Sequence, residues 1–242
     1  MGRAFEYRKA RKLKRWGNMS RTFTRIGKEI SSCVREAGPD PNGNARLRVL
    51  MQNAKAANMP KENVERAIKK AVSKDFTGYK DMVYEGYGPH GIAILVETQT
   101  DNPTRTVATV RSALTRYSGT LGTQGSLSFI FERKAVFKIK PKEGMDFDEL
   151  QLDLIDLGAD DFDQDEEEII IFGAPDAFAR IQKYLEDGGY ELISAEFERF
   201  ANDFKDVTPE QRETINKLVE RLEEDDDVST VYTNMRELDE EE

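Results

Sequence analysis

From Phe23 to Val72 the apolar residues recur every three or four positions, and short of Tyr79 that spacing stops. A stripe of this period suits a helix and not a strand, so the head of the chain must pack helix against helix. A first helix is predicted from Ser20, a good N-cap, to Ala37, with Gly38 and Pro39 as the stop. Its apolar stripe is Phe23, Ile26, Ile30, Cys33, Val34 and Ala37, and Arg21, Arg25, Lys28 and Arg35 fall on the opposite side. A second helix spans Asn44 to Ala57, with Leu47, Leu50, Met51 and Ala54 inward and Arg48, Gln52 and Lys55 pointing elsewhere. Met59-Pro60 breaks the pattern, and Pro60 suits the first turn of a third helix. Val64, Ala67, Ile68, Ala71 and Val72 are the expected buried stripe of that helix. Three short amphipathic helices make a small bundle.

Beyond Tyr79 strands alternate with helices. A strand is expected over Ile92–Thr98 after a Gly/Pro turn, then a helix capped by Asn102 with Pro103 at its first position, then a strand in SLSFIFERK. AVFKIK, ADDFD, EIIIF and YELISAEF read as four further strands. They flank helices whose inward residues are Phe147, Leu150, Leu154 and Leu157, then Phe178, Ile181 and Leu185. Thr208-Pro209-Glu210-Gln211 fits a capping box opening a last helix, followed by a strand over Val228–Thr233. The expected fold is α+β and multidomain: a basic arm and three-helix bundle over 1–80, then two ferredoxin-like βαββαβ units. The later unit, 135–204, is inserted into the earlier one, which is split between 81–134 and 205–242. Glu237–Glu242 reads as an acidic, solubilising tail.

Charge is distributed unevenly over this frame. The net value of −10 hides a head, residues 1–74, with 19 Lys and Arg against 6 Asp and Glu. The remainder holds 17 against 40. A net +13 joined to a net −23 points to a polyanion-binding head on an acidic body. The densest stretch is the arm, with Arg8, Lys9, Arg11, Lys12, Lys14 and Arg15. Lys and Arg neutralise phosphates and release counterions, which gives affinity without sequence choice. Phe5, Tyr7 and Trp16 lie among these cations, placed either to stack on unpaired bases or to pack on the bundle. The third helix adds Lys61, Lys69 and Lys70. There Glu62–Arg66 and Glu65–Lys69 are spaced as ion pairs, and Asn63 alone offers a side chain suited to a base edge. Backbone or shape recognition therefore fits better than major-groove readout.

Other chemistry finds less support. Asp161, Asp163 and Asp165 have the opening spacing of a calcium loop, but Glu166 stands where glycine is needed and Phe172 where the bidentate glutamate belongs. One His and one Cys argue against the common zinc sites. The glycines of GYGPHG and GTLGTQGS lack a following Gly-Lys-Ser/Thr and suit turns. His90 sits in such a turn and Cys33 on a helix core face, so nothing announces a catalytic constellation, and no cofactor is expected. The absence of a long apolar run, with a single cysteine, leads to the expectation of a soluble cytoplasmic protein.

NAKAANMPKENVERAIKKA, YEGYGPHGIAILVETQTDNPTRTVATVR and GTLGTQGSLSFIFERK together resemble the YebC family, also called YebC/PmpR, and the resemblance covers essentially the whole chain. It implies an N-terminal helical domain followed by two α/β domains. It also implies a cytoplasmic regulator, either of transcription through DNA or of translation on the ribosome, where ribosomal RNA is the partner. Many members of that family open on Gly-His-Ser-Lys-Trp. This chain opens on MGRAFEYRKARKLKRWGN, so a role tied to that histidine does not transfer, whereas a phosphate contact by the arm does. A protein–protein adaptor, its basic arm seeking an acidic partner, is the reading from another class.

Overall fold

A computed structural model describes residues 19–164 and 167–236 of the chain. The acidic end, Glu237–Glu242, and the arm lie outside the described residues. The head consists of α1 (Met19–Ala37), α2 (Ala45–Ala56) and α3 (Lys61–Ala71). The Asn44 side chain caps α2 by accepting from the Leu47 N–H at 3.0 Å. Ile26, Ile30, Cys33, Val34, Leu47, Leu50, Ala54, Val64 and Ala67 form the shared core. In four places the burial departs from the single-stripe expectation, and one is Ala37, exposed at the end of α1. Met51 and Val72, expected inward, are 38% and 57% exposed, whereas Val49 is 2% exposed. For Val49 the reason is that α2 has two walls, and this residue enters a second core, that of a sheet further along the chain.

From residue 80 the chain runs β1 (Lys80–Tyr87), β2 (Ala93–Thr100), α4 (Pro103–Arg116), β3 (Thr120–Leu121) and β4 (Phe131–Ile139). It continues through α5 (Phe147–Asp156), β5 (Ala159–Gln164), β6 (Ile169–Gly173), α6 (Phe178–Asp187) and β7 (Leu192–Ala201), and ends with α7 (Pro209–Glu223) and β8 (Val228–Thr233). Two four-stranded antiparallel sheets result, ordered β3-β1-β2-β8 and β5-β6-β4-β7. Between β3 and α7 the chain leaves the first sheet and builds the second. On the first sheet, α4 and α7 cover one face through Val110, Leu114, Ile215 and Leu218 over Ile92, Ile94 and Val96. Leu127, Ile130 and Phe131 cover Ala93 and Leu95 on the other face.

The second sheet has β–α–β–β–α–β connectivity. The first does not, and this corrects the expectation for it. A hairpin, β1–β2, occupies its centre, and each edge strand arrives after a helix, giving ββαβ and then αβ. The strand β1 is hard to see in sequence because two of its buried positions, Glu85 and Gly86, are not apolar. Glu85 is 7% exposed, its carboxylate accepting from the Gly125 and Leu127 N–H groups at 2.9 and 2.6 Å. Gly86 is bare because β3 crosses it, and any Cβ there would strike the Thr120 carbonyl oxygen. The expected strand SLSFIFERK is also redrawn: residues 125–130 are turns, and Phe131–Lys134 belong to β4, paired with Glu198–Ala201 of β7. The junction expected near Lys134 thus falls inside a continuous strand of the second sheet.

Candidate nucleic-acid interface

The cations of α1 do not form a free outer stripe, which corrects the sequence expectation. Arg21, Arg25 and Lys28 face the acidic body. Lys28 Nζ donates to Asp227 Oδ1 at 2.7 Å and to the carbonyls of Gln99 and Asp226 at 2.9 and 2.8 Å. Both side chains of this pair are close to fully buried. Arg25 lies 3.9 Å from Glu29 and 4.0 Å from Glu196. Arg21, Arg25 and Lys28 line one side of a narrow cleft, with Glu223, Asp225 and Asp226 on the other. A helix flanked by an anionic partner turns its second face inward too, which a pattern with one core does not foresee. Of this stripe, Arg21 and Arg35 are exposed, and Arg35 does not line the cleft.

Arg48 on α2 is likewise engaged. Its Nε and Nη2 donate to the two carboxylate oxygens of Glu186 on α6 at 3.2 and 2.7 Å, and this guanidinium holds Glu186 below the usual carboxylate range. Beside it Asn53 makes a paired contact with Ala195 of β7, accepting from its N–H at 3.0 Å and donating to its carbonyl at 2.9 Å. Gln182 donates to the Ala45 carbonyl at 3.0 Å. The head is therefore fastened to both sheets by hydrogen bonds and ion pairs.

What stays open is the far end of α3 and the chain leaving it. Lys69 and Lys70 are exposed there, Lys61 is exposed at the start of the same helix, and Lys55 is exposed on α2. The expected Glu62–Arg66 and Glu65–Lys69 pairs are absent among the described residues, and Glu65 turns instead to Lys61 at 3.6 Å. Arg66 and Lys69 consequently meet no carboxylate among the described residues. With Lys70, Val72 and Ser73 they line a shallow, open hollow. Lys70 Nζ is held at 2.6 Å by Tyr79 Oη and sits over the Phe76 and Tyr79 rings, 5.2 and 5.0 Å from their centroids. The Tyr79 ring also has Lys28 Nζ at 5.1 Å, so it links the open cation to the buried one. Exposed Lys74 extends the charge, while exposed Arg46, at the start of α2, lies near Glu29 of α1. Sequence reasoning missed Arg46, Arg66, Lys74 and the two aromatic rings. The i,i+4 spacing pairs Arg66 with Glu62, and contacts made by a linking loop carry no periodic signal. Arg8, Lys9, Arg11, Lys12, Lys14 and Arg15, with Phe5, Tyr7 and Trp16, lie outside the described residues.

Cations at the last turn of a helix also answer its dipole, so geometry alone leaves a solvated helix end as the plain alternative. Residues 3–74 match the family model of the TACO1/YebC protein N-terminal domain, and residues 79–235 that of the TACO1/YebC second and third domain. A protein of Parabacteroides distasonis named a probable transcriptional regulatory protein is 61% identical over 242 residues, covering all of both chains. One of the same name from Porphyromonas gingivalis is 62% identical with the same coverage. The crystal structure of a conserved hypothetical protein from Aquifex aeolicus shares 35% identity at a TM-score of 0.74, covering 93% of each chain. Among the described residues no helix is long and apolar enough to cross a membrane. The chain belongs to the TACO1/YebC family, and these two relatives carry the name of probable transcriptional regulatory proteins.

Proposed function

We propose that this chain is a non-enzymatic regulator of gene expression that grips nucleic acid by its phosphates, working in the cytoplasm without a cofactor. The observation that carries this reading is the open end of α3, where Arg66 and Lys69 lack carboxylate partners among the described residues and Lys70 is braced on two aromatic rings. Held cations lose less freedom on meeting a phosphate than free ones, and Arg matches phosphate geometry with two parallel donors. The basic arm and Lys55 add phosphate contacts to the same head. Duplex DNA is the target that the relatives' name favours.

A second reading, structured RNA on the ribosome, is favoured by the poverty of base-reading groups. Asn63 is half-buried, and the rest of the exposed α3 face is Lys, Arg and Glu. Such a face suits backbone and shape recognition. The charge-reversed variant R66E/K69E tests the site. It is expected to weaken binding of all sequences alike and to reduce the salt slope by about 2. Unchanged affinity in that variant would remove the site from α3. Crosslinking in cells, then sequencing of the attached nucleic acid, separates the targets: predominant ribosomal RNA contradicts the DNA target, and predominant genomic DNA contradicts the ribosomal one.

A further inference from the structure

The acidic body carries one element with the opposite charge. Helix α4, PTRTVATVRSALTR, has three arginines and no Asp or Glu. Its apolar side, Val110, Ala113 and Leu114, is buried on the first sheet and against α7. At about 100° per residue, Thr104, Arg105, Arg111, Ser112, Thr115 and Arg116 fall within an outward arc of about 140°. All six are exposed. Arg105 is held by Asp101 and Asp227 at 2.9 and 2.6 Å, which leaves its charge neutralised. Arg111 and Arg116 meet no carboxylate among the described residues. Nor does the neighbouring helix cancel them with a free acid at Glu213, which Lys217 holds at 2.8 Å. The hydroxyls of Thr104, Ser112 and Thr115 likewise have no hydrogen-bond partner among the described residues.

We propose that this face of α4 is a second nucleic-acid contact, outside the helical head, and that its occupant is the backbone of an RNA helix. The arginines supply charge for phosphates. The residues between them are small, so the helix surface can approach a strand closely. The free hydroxyls both donate and accept, which matches the 2′-hydroxyl that marks RNA. The face holds no Asn or Gln to read a base, in keeping with recognition of backbone and shape. The inference extends the nucleic-acid reading of the head and rests on it for the class of ligand alone.

The test is fluorescence anisotropy with the full chain, on an RNA duplex of about 16 base pairs and a DNA duplex of the same sequence. R111E/R116E is expected to weaken RNA binding about tenfold and to lower the salt slope by about 2, while R111K/R116K keeps near wild-type affinity. R111Q/R116Q is measured alongside, with its unfolding midpoint, so that loss of binding is separated from loss of fold. RNA affinity unchanged in R111E/R116E, with binding lost in R66E/K69E, overturns the second face and leaves the head as the site. A loss confined to the DNA duplex overturns the RNA assignment. A wild-type chain that binds neither duplex overturns the nucleic-acid reading and this face with it.

Discussion

Asp227 shows how a single residue joins the parts of this protein. It receives Lys28 from α1, Arg105 from α4 at 2.6 Å, and the Thr100 and Thr106 hydroxyls at 3.0 Å each. Burial pushes its carboxyl up, but the hydrogen bonds from Arg105 and Lys28 and the Lys28 charge outweigh that and bring it down to about 2. A carboxylate whose folded value is depressed contributes stability that is present above its unfolded value, near 4, and is lost as pH falls toward 2. That contribution is about 2 kcal/mol. Asp227→Asn is therefore expected to lower stability at neutral pH and to flatten the pH dependence between about 4 and 2, as read by urea titrations at several pH values. Removing the partner instead, Lys28→Ala, strands a buried charge that Arg105 only partly answers, at a cost of roughly 2–3 kcal/mol. Lys28→Met tests the same site with its bulk retained, and equal stability of Lys28→Met and the wild type would show that the pair contributes nothing net.

At the scale of elements, Glu85 on β1 plays a comparable part for the segment after β3. Its carboxylate collects the Gly125 and Leu127 N–H groups and fixes the turns that cover the outer face of the first sheet. Glu85→Ala leaves two donors without their acceptor and is expected to cost about 2 kcal/mol. Hydrogen exchange at Gly125 and Leu127 should quicken ahead of exchange at Ile94 in β2, and retained protection at those two amides would contradict the assignment. The helices of the head were legible because a stripe in each faces the core they share: Ile26, Ile30 and Val34 needed only spacing. The strand β1 was not, since a buried carboxylate and a bare glycine occupy the places where alternation looks for apolar side chains. β3, of two residues, is below what any periodicity can reveal. The outward faces failed for a related reason. A cation stripe marks a side that avoids its own core, and for Arg25, Lys28 and Arg48 that side meets a neighbouring unit.

For the whole molecule, the opposition of a basic head and an acidic body serves two ends. Lys28–Asp227, Arg48–Glu186 and the cleft beneath Arg21 use the opposition to seat the head on the body. The cations left over face outward at the end of α3 and, within the body itself, on α4. Exposed pairs contribute little and are screened, so Arg48→Ala is expected to shift stability by under about 1 kcal/mol, well below the effect of Lys28→Ala. The acidic remainder repels phosphate, which confines a polyanion to the few positive faces. The central claim is that phosphate contacts on the helical head hold nucleic acid. It is tested most directly by the affinity of the purified full chain for duplex DNA and duplex RNA across a range of salt, wild type beside R66E/K69E. The account predicts a steep fall of log affinity with log salt, with a slope near about −5 if some six phosphates are engaged, and a shallower slope with weaker binding in the variant. Affinity that is insensitive to salt, or identical in the two proteins, would contradict it.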